Sequence, residues 1–237
     1  MCLTTERIKI NKIMGLNKST GNMYEFISHT WNTVKGKCYH DCSYCYCKAI
    51  AKRFNHPQQP VRFDEKELKT NLGEGNFIFV GSSCDMWAQD IPDEWIFATL
   101  CHCNKFDNSY LFQTKNPYNI RRILVPDSHV CVTLETNRHY PEIMRNCPTP
   151  EQRVEQIKLI RHPLYITIEP IMDFDLPVFV EMLKECEPLQ VNIGADSGNH
   201  KLPEPPLEKV LELIAELEKF TTIHNKSNLK RLLKTKP

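Results

Sequence analysis

LYITIEPIMDFDLPVFVEMLKECEPLQVNIG, residues 164–194, contains one complete unit of the fold. Leu164–Ile168 and Leu189–Ile193 are short runs, apolar almost throughout and rich in β-branched residues. That is how strands buried on both faces of a parallel sheet read. Between them Leu176–Glu185 has the pattern of a helix, and strand, helix, strand in that order is a crossover between parallel neighbours. Working outward, the same kind of run recurs at Tyr24–Ser28, Phe77–Gly81, Tyr110–Thr114 and Val130–Leu134. Helical patterns separate them at Ser43–Phe54, Asp93–Cys103, Pro150–Arg161 and Leu207–Lys219, with a short turn near Asn119–Ile123. Thr149-Pro150-Glu151-Gln152 supplies a cap and a first-turn proline, and Leu207, Val210, Leu211, Ile214 and Leu217 form one apolar stripe. The alternation predicts an α/β fold, a partial (β/α)6 TIM-like barrel of parallel strands, with function gathered at the carboxyl-terminal ends of the strands.

The chain has 237 residues, 41% of them apolar and 25% charged, with a formal net charge of +1. These values fit one globular domain spanning 1–237, with a core over about 24–220 and a basic tail over 221–237. The near balance of charge leaves no general attraction to nucleic acid or anionic membranes, so such binding has to come from a local patch. No apolar run approaches the roughly 18–20 residues that span a bilayer, and MCLTTERIKINKIMG is too polar for a secretory signal. The cytoplasm is the expected location. In the tail, Lys226, Lys230, Arg231, Lys234 and Lys236 read as a solvated helix or frayed terminus.

Eleven cysteines, an odd number at uneven spacings, speak against a disulfide framework and for metal or redox chemistry. Cys131 and Cys186 stand alone in apolar surroundings and read as small buried residues. KCYHDCSYCYCK, residues 37–48, is different: Cys38, Cys42 and Cys45 have the spacing C-x3-C-x2-C, and Cys47 follows. Thiolates are soft ligands for zinc or iron–sulfur clusters. A structural zinc site takes four ligands, commonly as two separated pairs, and Cys101-His102-Cys103 is a poor second pair. Three cysteines in one loop suit a four-iron cubane with one iron left open. A zinc-stabilised nucleic-acid-binding module, with the basic tail as its contact, is the alternative.

The segment resembles the radical S-adenosylmethionine (SAM) superfamily, whose signature is C-x3-C-x-aromatic-C after the first strand of a partial barrel. Tyr44 occupies the aromatic position. The resemblance implies that Cys38, Cys42 and Cys45 hold a [4Fe–4S] cluster and that its open iron binds SAM. It further implies reductive cleavage to a 5′-deoxyadenosyl radical, which abstracts hydrogen from a substrate. A one-electron donor of flavodoxin or ferredoxin type is implied as partner. At the second strand end of such proteins a small-residue motif binds the SAM amino group; Ser82, Ser83 and Asp85 match that place, without the usual Gly-Gly-Glu.

The later strands also end in polar residues, which core packing does not require. Lys115 follows Tyr110–Thr114, Glu135 and Arg138 follow Val130–Leu134, Glu169 follows Leu164–Ile168, and Gly194, Asp196 and Gly198 follow Leu189–Ile193. Carboxylates gathered in one cavity would need protonation or cations nearby, for which Lys115 and Arg138 are placed. Within the resemblance, Glu135 or Arg138 would bond the ribose or carboxylate of SAM, Glu169 the substrate, and Gly194 and Gly198 would let backbone approach the adenosine. The ordered string VGSSCDMW, IPDEW, QTKNP, VTLETN, IEPIMD, IGADSG and a final Lys226 is similar to an uncharacterised radical SAM family of phages, bacteria and archaea. That family is known as phage proteins or three-Cys-motif partners. Ala195-Asp196 stands where it has Gly-Glu. A distant likeness to spore photoproduct lyase leaves a nucleobase or nucleic-acid substrate open.

Overall fold

The computed structural model describes residues 16–20, 23–120 and 125–233. β1 (Asn17–Lys18) pairs antiparallel with β2 (His29–Trp31), and a separate ribbon joins β3 (Val34–Lys35) to β4 (Arg62–Phe63). Helix α1 (Tyr46–Arg53) falls between β3 and β4 in sequence. Then come β5 (Phe77–Val80), α2 (Asp93–Cys103), β6 (Ser109–Thr114), α3 (Pro117–Ile120) and β7 (Ser128–Thr133). The chain continues through α4 (Pro141–Met144), α5 (Pro150–Ile157), β8 (Leu164–Ile168), α6 (Leu176–Glu185) and β9 (Gln190–Ile193). It closes with α7 (Leu207–Leu217), β10 (Thr222–Asn225) and α8 (Lys230–Leu233).

The main sheet runs β1-β2-β5-β6-β7-β8-β9-β10, and every pairing from β2 onward is parallel. β1 and β10 lie at opposite edges, so the sheet curls without closing: an α/β partial barrel. α5 starts as its sequence demands, with Thr149 and Gln152 in a reciprocal capping box and Pro150 at the first position. No described helix is long and apolar enough to cross a membrane.

The register sorts each strand into two faces. Ile78, Val80, Tyr110, Phe112, Val130, Val132, Ile166, Val191 and Ile193 belong to the main core, with Leu183, Val210 and Leu217 of the helices. Each such aliphatic side chain contributes about 1.5–3 kcal/mol by leaving water. The opposite face changes character along the strands. Toward their amino-terminal ends, Phe79, Leu111 and Cys131 pack with Tyr24 and Ile27 in a second cluster. Toward the carboxyl-terminal ends the same face carries Gln113, Thr133, Thr167 and Asn192, with Thr133 paired to Thr167 and Thr167 to Asn192.

Two expectations are corrected. Tyr24–Ser28 is not the first parallel strand: the Ile27 amide donates to the Tyr24 carbonyl at 3.0 Å, a turn, and parallel pairing begins at His29 opposite Ile78. Its apolar content comes from plugging the second cluster. Likewise residues 222–233 are not a solvated basic tail. β10 adds a parallel strand beside β9, and Lys226, Leu229 and Leu232 are buried. Lys234 and Lys236 lie outside the described residues, as does part of the turn near Asn119–Ile123.

Candidate functional site

A cavity of about 490 Å³ opens at the carboxyl-terminal ends of the strands. Cys38, Cys42, Cys45 and Cys47 line one side, Gly81–Asp85 another, Gln113 and Thr133 the floor, and Glu169, Asp196 and Lys226 the far side. The cysteine loop is fixed by its own backbone. Gly36, at φ 113°, sits where a Cβ would meet the Pro60 carbonyl oxygen at 2.4 Å, so only glycine fits before the first cysteine. Asp41 turns the loop at φ 51°, and the Lys48 ammonium donates to the carbonyls of Asp41 and Cys42 at 2.6 and 2.9 Å. Arg145 pairs with Asp41 at 2.6 Å, and the Ser43 amide donates to the Ile143 carbonyl.

Each signature thiol has a second cysteine beside it. Cys147 stands 3.4 Å from Cys42, sulfur to sulfur. Hydrogen bonding from Cys147, against the effect of burial and with help from the Lys115 charge, brings the Cys42 thiol down to about 6. Cys47 acts in the same way on Cys45, bringing it to about 6, and Cys84 lowers Cys38. The second cysteines are pushed up in turn. A thiol that ionises easily is a better metal donor. Among the described residues no three His, Cys, Asp or Glu side chains converge on the position of a single ion. A cubane asks for something else, one thiolate per iron spread around a volume, and three soft donors on one cavity wall suit that donor set.

Asp85 ties the cysteine loop to the sheet. Its carboxylate accepts from His40 Nε2 at 2.9 Å, the Thr114 hydroxyl at 3.0 Å and the amides of Lys115 and Trp87 at 2.9 and 3.0 Å. With four donors on two oxygens, Asp85 is occupied as a fastening point. Burial works against charge on His40, yet the Asp85 carboxylate lifts its pKa to about 9. Ser82 and Ser83 are held by Asn32, whose Oδ1 accepts from both hydroxyls and from the Ser83 amide at 2.8 Å. The Ser82 and Ser83 carbonyls accept from Tyr46 at 2.6 Å and Cys47 at 3.2 Å.

Glu135 and Arg138 stand apart from the cavity they were expected to line. Glu135 is wholly buried; Arg153 Nη1 donates to its Oε2 at 2.7 Å, Tyr44 donates to its Oε1, and Lys115 approaches to 3.9 Å. Burial opposes the Glu135 charge, but Arg153, Lys115 and the Tyr44 hydroxyl hold the carboxyl below the usual range. Its work is to anchor the aromatic residue before Cys45. Arg138 is partly exposed and spans Asp173 and Asp175, with 2.6 Å to the latter, so Lys115 is the expected cation that reaches the cavity.

On the far side, Glu169 accepts from Lys226 at 2.5 Å and Asn228 at 2.6 Å, and the Lys226 ammonium lies 4.4 Å from the Tyr24 ring centre. Tyr24 donates to Gln113 at 2.8 Å and Gln113 to Thr133 at 3.1 Å, a polar chain across the floor. A Cβ on Gly194 would meet the Glu169 carboxylate at 2.8 Å, so the close approach this glycine permits is that of Glu169. Asp196 lines the cavity but shapes its own loop, accepting from the Gly198 amide at 3.0 Å and from His200 Nδ1 at 2.6 Å.

Sequence reading missed Asn32, Lys48, Gln113, Thr133, Cys147 and Arg153. Gln113 and Thr133 were legible in principle, as polar residues that interrupt otherwise apolar runs near their ends. Asn32, Cys147 and Arg153 act only through contacts distant in sequence.

The family model described as "Protein of unknown function (DUF5131)" matches residues 22–203. No curated protein matches the chain in sequence. Among solved structures, a spore photoproduct lyase variant with bound AdoMet and dinucleoside spore photoproduct superposes with a TM-score of 0.63 at 10% identity, covering 89% of this chain and 80% of that one. Spore photoproduct lyase complexed with dinucleoside spore photoproduct gives 0.63 at 9% identity, over 91% and 79%. Another variant of that lyase gives 0.64 at 9%, over 89% and 80%. The likeness is one of fold, a partial barrel of parallel strands.

Proposed function

The chain belongs to the DUF5131 family of proteins of unknown function, and we propose that it is a radical SAM enzyme with Cys38, Cys42 and Cys45 as the cluster ligands. The observation that carries this reading is the three-cysteine loop itself, on the wall of a cavity at the carboxyl-terminal ends of a parallel sheet. Function gathers at that end in parallel barrels. Bound there, a [4Fe–4S] cluster with one open iron would ligate SAM and supply the electron that breaks a carbon–sulfur bond, the start of hydrogen abstraction from substrate.

The chain's own groups divide the remaining work. Lys48 holds the loop carbonyls, and Asp85, through His40, fastens the loop to the end of β6. Ser82 and Ser83, presented by Asn32, are the groups for the polar end of SAM. Lys115, near Cys42 and the Tyr44 ring, supplies positive charge to the same cavity. Glu169 and Lys226, with Tyr24 and Gln113, form the opposite side, where substrate would sit; Asp196 rims it. The bound dinucleoside of the neighbouring structures supports a nucleoside or nucleic-acid substrate. We infer one catalytic domain, served by an electron donor of flavodoxin or ferredoxin type, working in the cytoplasm.

Anaerobic reconstitution tests the reading. The wild type should turn brown with about four irons per chain, and with dithionite and SAM release 5′-deoxyadenosine. Cys42→Ala should lose the iron and stay folded. Zinc in place of iron, or a full iron complement in Cys42→Ala, would refute it.

A further inference from the structure

Between Cys42 and Phe63 the chain contains no Asp or Glu, yet it carries Lys48, Lys52, Arg53 and Arg62 within a protein of net charge +1. Asp41 takes up Lys48 at 2.7 Å, and Lys52, Arg53 and Arg62 are left as a local excess of positive charge. Helix α1 is built from it and, unlike α2, α5, α6 and α7, buries none of its residues. Its large apolar side chains are about half exposed or more: Ile50 is 48% exposed, Phe54, just past its end, 61%, and Tyr46 50%, while its hydroxyl bonds the Ser82 carbonyl. Their spacing of four places them on one face, in a line of about 12 Å at 1.5 Å per residue. The Arg53 guanidinium lies over the Phe54 ring at 5.7 Å. Tyr46 also lines the cavity, so the line begins at the cavity mouth.

Exposed rings interleaved with cations, and free of carboxylates, are the chemistry that binds single-stranded nucleic acid: bases stack on the rings and phosphates meet the cations. Twelve ångströms accommodates about three bases stacked at about 3.4 Å. A duplex hides its base faces and gains only the charge term. A stable protein partner needs about 20–30 residues a side, more than this short helix presents. We propose that the outer face of α1, with Ile50, Lys52, Arg53 and Phe54 as its principal contacts, is a platform for single-stranded nucleic acid leading into the cavity beside Tyr46. That the strand delivers substrate rests on the radical SAM reading; the surface itself does not.

The test is fluorescence anisotropy with the full chain, purified anaerobically, and a fluorescein-labelled mixed-sequence DNA 12-mer, single-stranded or annealed to its complement. The single strand should bind more tightly than the duplex. Phe54→Ala should weaken binding about tenfold, as loss of one base–aromatic stack does. Lys52→Glu with Arg53→Glu should lower the slope of log affinity against log salt by about 1.4, at about 0.7 per phosphate contact. Iron content and circular dichroism should be unchanged in both, since none of these side chains is buried. Equal binding by wild type and variants would overturn the proposal. So would a wild type that prefers duplex, or one that dimerises through this face and binds no oligonucleotide. Iron-free protein that still binds the strand through α1 would remove the radical SAM reading and leave the platform; iron-loaded protein that does not bind would do the reverse.

Discussion

Replacing Arg153 by Met should destabilise the chain severely, because it strands a carboxylate in the interior. Arg153 and Glu135 are both fully buried, and the guanidinium donates to Glu135 Oε2 at 2.7 Å, the Thr133 carbonyl at 2.8 Å and the Pro148 carbonyl at 2.8 Å. Without it Glu135 keeps the Tyr44 hydroxyl and a Lys115 ammonium 3.9 Å away, while two carbonyls lose their donor. Breaking a buried pair from one side costs about 3–5 kcal/mol. At about 2–4 °C per kcal/mol for a chain of this size, the midpoint of thermal unfolding should fall by about 6–20 °C. Arg153→Met with Glu135→Met removes both charges and should recover much of that loss. The pH dependence has a defined sign. Glu135 is held below the ordinary carboxyl range in the folded state, so the pair's stabilisation is present above the unfolded value of about 4.3 and is lost as pH falls through the lowered folded value. The gap between wild type and Arg153→Met should therefore narrow on acidification below about pH 4. Circular dichroism melts from pH 7.5 to 3.5 measure all three quantities. A single variant within about 3 °C of wild type, a double variant no better than the single, or a gap that widens in acid would refute the reasoning.

Other consequences follow from the same contacts. Gly36→Ala should lower iron retention after reconstitution by displacing the loop, since its Cβ would strike the Pro60 backbone at φ 113°; a full iron complement would count against this account. Asn32→Ala should leave iron in place but weaken SAM binding in equilibrium dialysis, because the half-buried Ser83 amide loses its acceptor at a cost of about 0.5–1.5 kcal/mol. Unchanged SAM affinity would remove Ser82 and Ser83 from the site. Glu169→Gln should retain iron and SAM-dependent 5′-deoxyadenosine release yet lose product formation on the true substrate, assayed with cell extract; loss of SAM binding instead would move Glu169 to the cofactor side.

Much of the architecture was readable because it rests on short-range patterns. Six apolar runs separated by helical patterns gave a parallel α/β sheet, and five of those runs are strands. The first was misplaced because Tyr24 and Ile27 are apolar for a different reason: they plug the inner end of the curled sheet. β10 escaped notice because His224 and Asn225 read as polar and the cations after them suggested a solvated tail. Among strand-end residues, Glu135 and Arg138 share the chemistry of Glu169 and Lys115, and only their partners distinguish them. Arg153 takes Glu135 inward, whereas Asp173 and Asp175 take Arg138 outward.

What the sequence determined by itself is what depends on spacing along the chain: three thiols within one loop, and the alternation that commits strands to a parallel sheet. Only the tertiary structure decided which carboxylates face the cavity and which are locked behind it, and that Gln113 and Thr133 share its floor with Lys226 on the far side. Spacing fixes neighbours within a strand or loop, whereas the fate of a charge is set by whichever distant group desolvates or pairs with it.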